Sequence, residues 1–372
     1  MVLKIINFDH NATTSLASEA FMRMTEILKQ SANSSSVHTL GRKASMMTEA
    51  VREDLRNAIN GNNYEVFFTS GGTESNNMVL FSDNFTQIFR SKIEHSSVYN
   101  LKPHNVDIID LACDSNGIIS LQDLRDKLSQ ISGTNFLVSM MLANNETAAI
   151  QPVKEVAQIV HQHGGLIHSD MVQAFGKISI DLEDLNVDFA TVSAHKINGP
   201  QGAGAVLARK GINMRPLIFG GGQERGKRAG TLNIAAIAGF GAAIKLLPQR
   251  LKKLQEMHQI RDFIELELKK IAEDNLRIFS QDVARLANTS FFALRDGDAQ
   301  TQLIHLDLNQ VMVSSGAACS SGTVLESRIL QAMNVEKEFL GAIRISLCPD
   351  NTRDEAERFI ALWKEFYLRK LN

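Results

Sequence analysis

The amino-acid sequence predicts an α/β protein that has a large, mainly parallel sheet and a smaller α+β domain. From about residue 16 to residue 245, amphipathic helical patterns alternate with short runs rich in Val, Ile and Phe, which is typical of βαβ units. After about residue 245 a long helical pattern precedes strands and helices in a different order. We therefore predict a large domain over residues 15–250, and a small domain formed by residues 1–14 and 251–372.

Two amphipathic helices and a strand open the large domain. The second helix repeats over 44–58 the apolar spacing of the first, whose face carries Phe21, Met24, Ile27 and Leu28. The run EVFFTS at 65–70 predicts a strand, and a glycine turn and another helix follow it at once. This strand, turn and helix form the first unit in which a ligand site is expected.

Two further strands follow in the large domain. A helix that begins with Pro152 in its first turn and stops at Gly164 precedes the strand LIHSD at 166–170. The strand DFATVSAH at 188–195 then leads into Lys196 and a tight turn. Both strands end on polar residues, which places those residues at the carboxyl edge of the predicted sheet.

A long helix over 254–271, with Arg261 expected at the edge of its apolar face, connects to the small domain. The runs NTSFFAL at 288–294 and GAIRISL at 341–347 predict strands, and helices are expected near 299–307 and 324–333. A capping box from Thr352 to Glu355 opens the last helix.

Composition and charge exclude several classes of protein. The chain has 372 residues, of which 44% are hydrophobic and 22% charged, so it can bury a sizeable core. Its net charge of -2 and the lack of a basic stripe argue against a nucleic-acid partner. The N-terminus lacks the apolar core of a signal peptide, and we find no long apolar run, so we expect a cytoplasmic protein with no membrane contact. The three widely spaced cysteines, Cys113, Cys319 and Cys348, argue against disulfides and a metal site.

Three features at successive strand ends indicate a cofactor. Taken alone, each feature has two interpretations. The turn over 70–76 is either an anion site or an ordinary βα turn. Asp170 is either a ligand group or a helix cap, and Lys196 is either a reactive amine or a surface lysine. Together they supply a phosphate cradle, an acid for a pyridine nitrogen and an amine for a Schiff base. This combination predicts pyridoxal 5'-phosphate.

The sequence resembles the cysteine desulfurases of the NifS/IscS type, which belong to the class-V aminotransferase-like branch of fold-type I pyridoxal phosphate enzymes. The resemblance covers nearly the whole chain and implies a seven-stranded sheet in the large domain. Its motifs occur in order as NATT, NSSSVH, FTSGGTESNN, EHSSV, NNE, HSDMVQ, SAHKINGPQG, GGGQERGKRAGT, SSGAACSS and IRISL. The lysine motif together with the cysteine motif is highly specific.

The resemblance implies a role for each residue around the cofactor ring. Lys196 resembles the Schiff-base lysine, and Asp170 the partner of the pyridinium nitrogen. Gln173 and Asn145 would contact the phenolic oxygen of the ring. His95 would stack on the ring and carry protons during catalysis.

The resemblance also assigns the phosphate site and the oligomeric state. Gly72, Thr73, Ser193 and His195 would hold the phosphate. Thr231 resembles a threonine that reaches the phosphate from a neighbouring subunit, so a homodimer with shared active sites is implied.

For the substrate, the resemblance implies L-cysteine, with its carboxylate bound by Asn33 and Arg344. Cys319 lies in a Ser/Gly/Ala-rich segment and resembles the nucleophile that takes the sulfur as a persulfide. We expect Cys113 to be structural and leave Cys348 unassigned. The sulfur would pass to a protein acceptor, either an iron–sulfur scaffold, a tRNA-thiolation protein or another sulfur carrier.

Alternative functions are a selenocysteine lyase, another class-V aminotransferase-like enzyme, or a non-catalytic scaffold in sulfur transfer. The placement of Cys319 favours the desulfurase over the other enzymes, and the presence of Lys196, Asp170 and His95 disfavours a scaffold. The chain departs from the family pattern where NNE continues Thr-Ala-Ala, where IRISL continues Cys-Pro-Asp, and in its short C-terminus. The last departure leaves the acceptor open.

Overall fold

The computed structural model describes residues 4–83, 85–102, 105–131, 133, 135–316 and 327–371. Its strands are β1 Ile6–Asn7, β2 Tyr64–Thr69, β3 Gln87–Ser91, β4 Asp107–Leu111, β5 Phe136–Met141, β6 Leu166–Asp170, β7 Phe189–Ser193, β8 Gly204–Arg209, β9 Leu276–Ile278, β10 Thr289–Leu294, β11 Val311–Met312, β12 Ser314–Ser315 and β13 Ala342–Ser346. Its helices are α1 Ser18–Leu28, α2 Thr39–Ala58, α3 Gly72–Leu80, α4 Ser96–Tyr99, α5 Leu121–Leu128, α6 Val153–Gln162, α7 Leu182–Leu185, α8 Ile234–Lys245, α9 Leu247–Lys252, α10 Leu254–Ala272, α11 Ala299–Leu308, α12 Arg328–Ala332 and α13 Arg353–Leu371.

The large sheet has seven strands in the order β2-β8-β7-β6-β5-β3-β4. All of its strands run in one direction except β8, which is antiparallel to both of its neighbours. Strands β5 and β7 are buried along their whole length, as expected for a sheet covered by helices on both faces. The predicted α/β class and mainly parallel sheet are confirmed.

A second, antiparallel sheet in the order β12-β13-β10-β9 lies outside the large one. Helices α10 and α13 pack on it around a separate hydrophobic core that includes Ile264, Phe292 and Trp363. Strand β1 joins this part of the chain by pairing in parallel with β11. The first residues therefore lie with the last third of the chain, while the division into domains at residues 14 and 250 stays a prediction.

Local signals place the starts of α13 and α6 to within one residue. The capping box before α13 forms, since the Glu355 amide donates to Thr352 Oγ1 at 3.3 Å and the Thr352 amide to Glu355 Oε2 at 3.2 Å. Helix α6 begins at Val153, one residue after the predicted start, and Pro152 is its N-cap rather than a residue of its first turn. These ends follow from short-range hydrogen bonding, which the sequence pattern reports directly.

Burial differs from the sequence expectation on two helices. On α1 the side chains of Phe21 and Leu28 are 60% and 70% exposed, although Ile27 of the same predicted face is buried. On α10 the expected edge residue Arg261 is buried instead, and its guanidinium donates to the Leu286 carbonyl oxygen at 3.2 Å. The described residues therefore leave Phe21 and Leu28 of α1 exposed, whereas Arg261 is buried and hydrogen-bonded to a backbone oxygen.

One apolar segment, Ile234–Lys252, has the length and composition of a membrane span. It comprises α8 and α9, and 67% of its most apolar stretch is buried inside the protein. Helix α8 packs against α1 and α2. A core helix of a globular protein has the same properties, so the segment is weak evidence for membrane insertion.

Candidate active site

Most of the predicted site residues line one cavity at the carboxyl ends of β6 and β7. The cavity has a volume of about 320 Å³, and its lining includes Gly72, Thr73, His95, Asn145, Asp170, Gln173, Ser193, His195 and Lys196. A second cavity of about 410 Å³ adjoins it, shares Lys196 and His95 with it, and adds Arg344. The fold thus brings strand ends that are far apart in sequence to one edge of the sheet, where open α/β sheets bind ligands.

The start of α3 forms one wall of the first cavity. A Cβ atom at Gly72 would lie 2.9 Å from Val172 Cγ2, so only glycine lets the backbone approach this closely. The Ser193 hydroxyl is buried and has no hydrogen-bond partner among the described residues. Burial lowers the pKa of His195 to about 4, so this ring is neutral at pH 7. Backbone N–H groups at a helix start and a free hydroxyl form a site suited to an anion.

Asp170 is held rigidly at the end of β6. Its Oδ2 accepts a hydrogen bond from Asn76 Nδ2 at 2.7 Å, and its Oδ1 accepts the Val172 amide at 2.9 Å. The Asn76 amide is itself oriented, because its Oδ1 accepts the Thr191 hydroxyl at 2.6 Å. The carboxylate therefore presents a fixed acceptor to the cavity.

His95 stands at the rim of both cavities, immediately before α4. Its Nδ1 accepts the backbone amide of Ser97 at 3.1 Å, which places the proton of the neutral ring on Nε2. The His95 side chain is exposed to the cavities, yet the surrounding protein atoms desolvate its ring and lower its pKa. The charge of Asp170 opposes this shift, while those of Lys196 and Arg328 add to it. At neutral pH the ring is thus a neutral group with one N–H.

Lys196 lies on a 3-10 turn, Ala194–Lys196, that directly follows β7. Its Nζ donates to the carbonyl oxygens of Asn11 at 2.5 Å and of Ala12 at 2.7 Å. Burial lowers the pKa of the amine to about 8, and the charge of Arg344 contributes, while Asp9 and Asp170 act in the opposite direction. A substantial fraction of the amine is therefore neutral, and nucleophilic, near physiological pH.

Arg344 projects from β13 into the second cavity. Its Nη1 donates to the Asn145 carbonyl oxygen at 2.8 Å and its Nη2 to Asp9 Oδ1 at 2.7 Å. Its Nε is buried without a hydrogen-bond partner among the described residues. The guanidinium is thus held from two sides and retains donor capacity for a carboxylate.

Two buried carboxyl groups line the second cavity. Burial raises the pKa of Glu94 well above its usual range and raises that of Glu146 to about 7. Glu146 Oε2 accepts the Ser327 hydroxyl at 2.7 Å, and a Cβ atom at Gly316 would collide with the same oxygen. Glu146 therefore contacts both residues that flank the segment 317–326.

Three predicted site residues are not brought into these cavities by the described part of the chain. Cys319 falls in 317–326 and lies outside the described residues. Asn33 is exposed between α1 and α2, where its Oδ1 accepts the Ser35 amide at 2.9 Å. Thr231 is exposed just before α8. The roles of all three stay predictions.

Comparison with known proteins assigns the chain to a family. The family model "Aminotransferase class-V" matches residues 6–359, which is most of the sequence. The chain belongs to the class-V aminotransferase family. Members of this family are pyridoxal-phosphate-dependent enzymes. Among the described residues, no group of three or more His, Cys, Asp and Glu side chains could hold a metal ion.

Relatives of this class-V family member that align with it in sequence include proteins named as cysteine desulfurases. It is 37% identical to "Cysteine desulfurase IscS" of Dictyoglomus turgidum, with 94% of this chain and 91% of that protein aligned. A NifS-like protein of Rickettsia africae superposes with a TM-score of 0.91 at 36% identity, over 98% of this chain and 99% of that chain. A structure described as SspA in complex with cysteine gives a TM-score of 0.80 at 28% identity, over 94% and 100%. The predicted NifS/IscS resemblance and fold-type I architecture are confirmed.

Residues without a role in the sequence prediction complete this class-V site. The backbone oxygen of Asn11 accepts a hydrogen bond from Lys196 Nζ, and the side-chain amide of Asn76 donates to Asp170 and orients its carboxylate. Lys177 is buried beneath the cavity and contacts Gln173. Asn11 and Asn76 lie inside the motifs NATT and FTSGGTESNN, so the motifs were a signal for them. Lys177 lies four residues beyond the motif HSDMVQ, and only its contacts identify it.

Proposed function

We propose that this protein is a pyridoxal-phosphate-dependent cysteine desulfurase that converts L-cysteine into L-alanine and keeps the sulfur as a persulfide on Cys319. The observation that carries the proposal is that Lys196 and Asp170 share one cavity while Arg344 lines the adjoining one. An enzyme that acts on an amino acid through this cofactor needs an amine, an acid for the pyridine nitrogen, and a carboxylate binder. The names of the relatives support the sulfur chemistry.

The residues present fit pyridoxal phosphate. The start of α3 and the Ser193 hydroxyl, which has no partner in the described part of the chain, suit its phosphate, with Gly72, Thr73 and His195 beside them. The fixed carboxylate of Asp170 suits the protonated ring nitrogen. When bound, the cofactor supplies an electron sink that stabilises negative charge at the substrate α-carbon.

The protein's own groups bind the substrate and move protons. Arg344 binds the substrate carboxylate, and Asp9 keeps its guanidinium oriented. Lys196 takes the proton from the α-carbon, a task suited to an amine with a pKa of about 8. His95 carries its proton on Nε2, at the rim that the two cavities share.

The sulfur step balances without an external oxidant. The thiolate of Cys319 attacks the sulfur of the substrate, so that a new S–S bond forms and the substrate C–S bond breaks. The electron pair of the broken bond stays on carbon, which takes up protons to become the methyl group of alanine. One thiol and one L-cysteine thus yield one persulfide and one L-alanine.

Product analysis tests this function. We expect alanine and sulfide in equal amounts when the protein is incubated with L-cysteine and a reductant. Cys319→Ala should keep the visible absorption of the bound cofactor and lose sulfide production. Cys113→Ala is the matched control, since burial raises the pKa of this thiol to about 11 and its Sγ contacts the Ala332 carbonyl oxygen. Full activity of Cys319→Ala, or no visible absorption that depends on Lys196, would refute the proposal.

The proposal includes a homodimer in which Thr231 completes the phosphate site of the second subunit and Asn33 assists Arg344 at the substrate carboxylate. Phe21 and Leu28 form an exposed apolar face on α1, and this supports the proposal that a second copy of the chain packs against α1 in the dimer. Mixing Lys196→Ala with Thr231→Ala subunits tests the shared site. A mixed dimer then contains one site with neither substitution, so activity should reappear on mixing. If both sites lie within single chains, mixing restores nothing.

The persulfide sulfur then passes, in this proposal, to an acceptor protein in the cytoplasm. An iron–sulfur scaffold and a sulfur carrier both fit, because either presents thiols to a persulfide. Protein loaded with 35S from labelled cysteine should transfer label to its acceptor, and Cys319→Ala should transfer none. Transfer that does not depend on Cys319 would contradict this route.

A further inference from the structure

Lys177 is a buried lysine that the proposed mechanism does not use. It is 1% exposed and lies below the first cavity, seven residues after Asp170. Its Nζ donates to Asn11 Oδ1 and to Gln173 Oε1, both at 2.6 Å. No carboxylate forms an ion pair with it among the described residues, and the charged groups that influence it are cations, Arg250, Lys196 and Arg344. Burying a lysine amine without an ion-pair partner costs free energy of folding, so we expect its contacts to serve a function.

The amine of Lys177 has amide oxygens, not carboxylates, as its hydrogen-bond partners. Burial, aided by the nearby cations, lowers the pKa of Lys177 well below its usual value. A lysine amine can only donate, and the structure supplies two acceptors. Lys177 therefore acts here as a donor to two amide oxygens.

These contacts determine which end of the Gln173 amide faces which partner. Its Oε1 accepts from Lys177, and its Nε2 donates to the Asn11 carbonyl oxygen at 3.0 Å. A carbonyl oxygen can only accept, so the two ends of the amide are assigned without ambiguity. The second N–H of Nε2 remains for the cavities, both of which Gln173 lines.

Asn11 is oriented by the same lysine and by the second sheet. Its Oδ1 also accepts from Asn288 Nδ2 at 3.1 Å, and its Nδ2 donates to Thr289 Oγ1 at 2.9 Å. The backbone oxygen of Asn11 meanwhile accepts from Lys196. Lys177 thus supports the segment that holds the reactive lysine as well as Gln173.

We propose that Lys177 is a positioning residue that holds the Gln173 amide with its free N–H toward the cofactor, as a donor to the phenolic oxygen of pyridoxal phosphate. The inference rests on the proposed function, since it requires this cofactor in the first cavity. A donor at that oxygen favours its ionised form and so lowers the pH at which the bound cofactor changes its visible absorption. Without Lys177, Gln173 Oε1 loses its donor and the amide is free to rotate.

The test is a pH titration of the visible absorption of the holoenzyme. We expect Lys177→Met to raise the midpoint by about 0.4 to 1 pH unit, the shift that one net hydrogen bond produces. Gln173→Leu should raise it by a similar amount, and the double variant by no more than Gln173→Leu alone, because Lys177 acts through Gln173. Lys245→Met, at an exposed lysine of α8, is the control and should match wild type.

Thermal unfolding of each variant separates positioning from a purely structural role. A Lys177→Met protein that is less stable but has the wild-type midpoint overturns the proposal, as does an additive shift in the double variant. If Lys177→Met does not fold, Lys177→Gln decides. Its side chain is one atom shorter and cannot reach both acceptors, so its midpoint should also rise, and an unchanged midpoint overturns the proposal. If wild type has no visible absorption at all, the proposed function fails instead.

Discussion

The lowered pKa of Lys196 leads to a specific prediction about how the cofactor-free protein takes up pyridoxal phosphate. Lys196 reacts with the cofactor aldehyde only as a neutral amine. Burial lowers the pKa of this amine to about 8, and the charge of Arg344 contributes to the shift. The perturbation is therefore pH itself, applied to protein from which the cofactor has been removed.

The size of the effect follows from the neutral fraction of the amine. With a pKa of about 8, roughly one-tenth of Lys196 is neutral at pH 7 and roughly nine-tenths at pH 9. The rate of cofactor uptake should rise about tenfold over this interval and then level off. A lysine with an ordinary pKa near 10.4 would give a rise of about a hundredfold with no plateau below pH 10.

The assay is stopped-flow absorbance of the bound cofactor at a series of pH values. As a reference, the rate at which Nα-acetyl-lysine amide reacts with pyridoxal phosphate is measured at each pH and corrected to the neutral fraction of that amine. Dividing the protein's rate by this reference rate removes the effect of the cofactor's own titration. Two substitutions should move the plateau in opposite directions. Arg344→Gln removes a cation and should move it to higher pH, whereas Asp9→Asn removes an anion and should move it to lower pH. A rate that still rises steeply above pH 9 in wild type refutes the reasoning.

Three further predictions concern other contacts. Arg52→Met should lower the free energy of unfolding by about 3–5 kcal/mol, because it leaves the buried Glu224 carboxylate, 2.9 Å from Arg52 Nη1, without its partner; urea denaturation measures this, and a loss under 1 kcal/mol would contradict it. Asn76→Ala should raise the dissociation constant of pyridoxal phosphate by about tenfold in equilibrium titrations, since Asp170 loses a donor to its charged oxygen. Arg344→Lys should raise KM for L-cysteine by roughly tenfold with an unchanged cofactor spectrum, because lysine cannot bind a carboxylate through two parallel hydrogen bonds; an unchanged KM would exclude Arg344 from substrate binding.

Local sequence signals were sufficient for much of the fold and for the chemical groups of the site. The strand at 166–170 is observed with the bounds that its apolar run indicated, and Asp170 ends it. Strand β7 ends at Ser193, two residues before the predicted end at His195, and Lys196 follows it as the last residue of a short 3-10 turn. Both results depend on the alternation of strand and helix, which places polar residues at the carboxyl edge whatever the strand order is.

The exposure of single side chains was less predictable. The helical spacing places Phe21, Ile27 and Leu28 on one face of α1, yet of these three only Ile27 is buried. Helix periodicity indicates which residues share a face, but not how much of that face other elements cover. Arg261 is expected at an edge because of its charge, but it is buried and donates both to the Asp262 carboxylate at 2.7 Å and to the Leu286 carbonyl oxygen at 3.2 Å. The local pattern contains the first partner but not the second, which comes from another element.

The sequence by itself determined the fold class, the family and the set of reactive groups, since these depend on local periodicity and on motifs in a specific order. Only the tertiary structure decided how those groups are tuned. The pKa of Lys196 and the orientation of the Gln173 amide each depend on burial and on partners that are close in space. Lys177 shows this most clearly, because in the sequence it is one lysine among many, and in the folded protein it donates to two amide oxygens below the cofactor cavity.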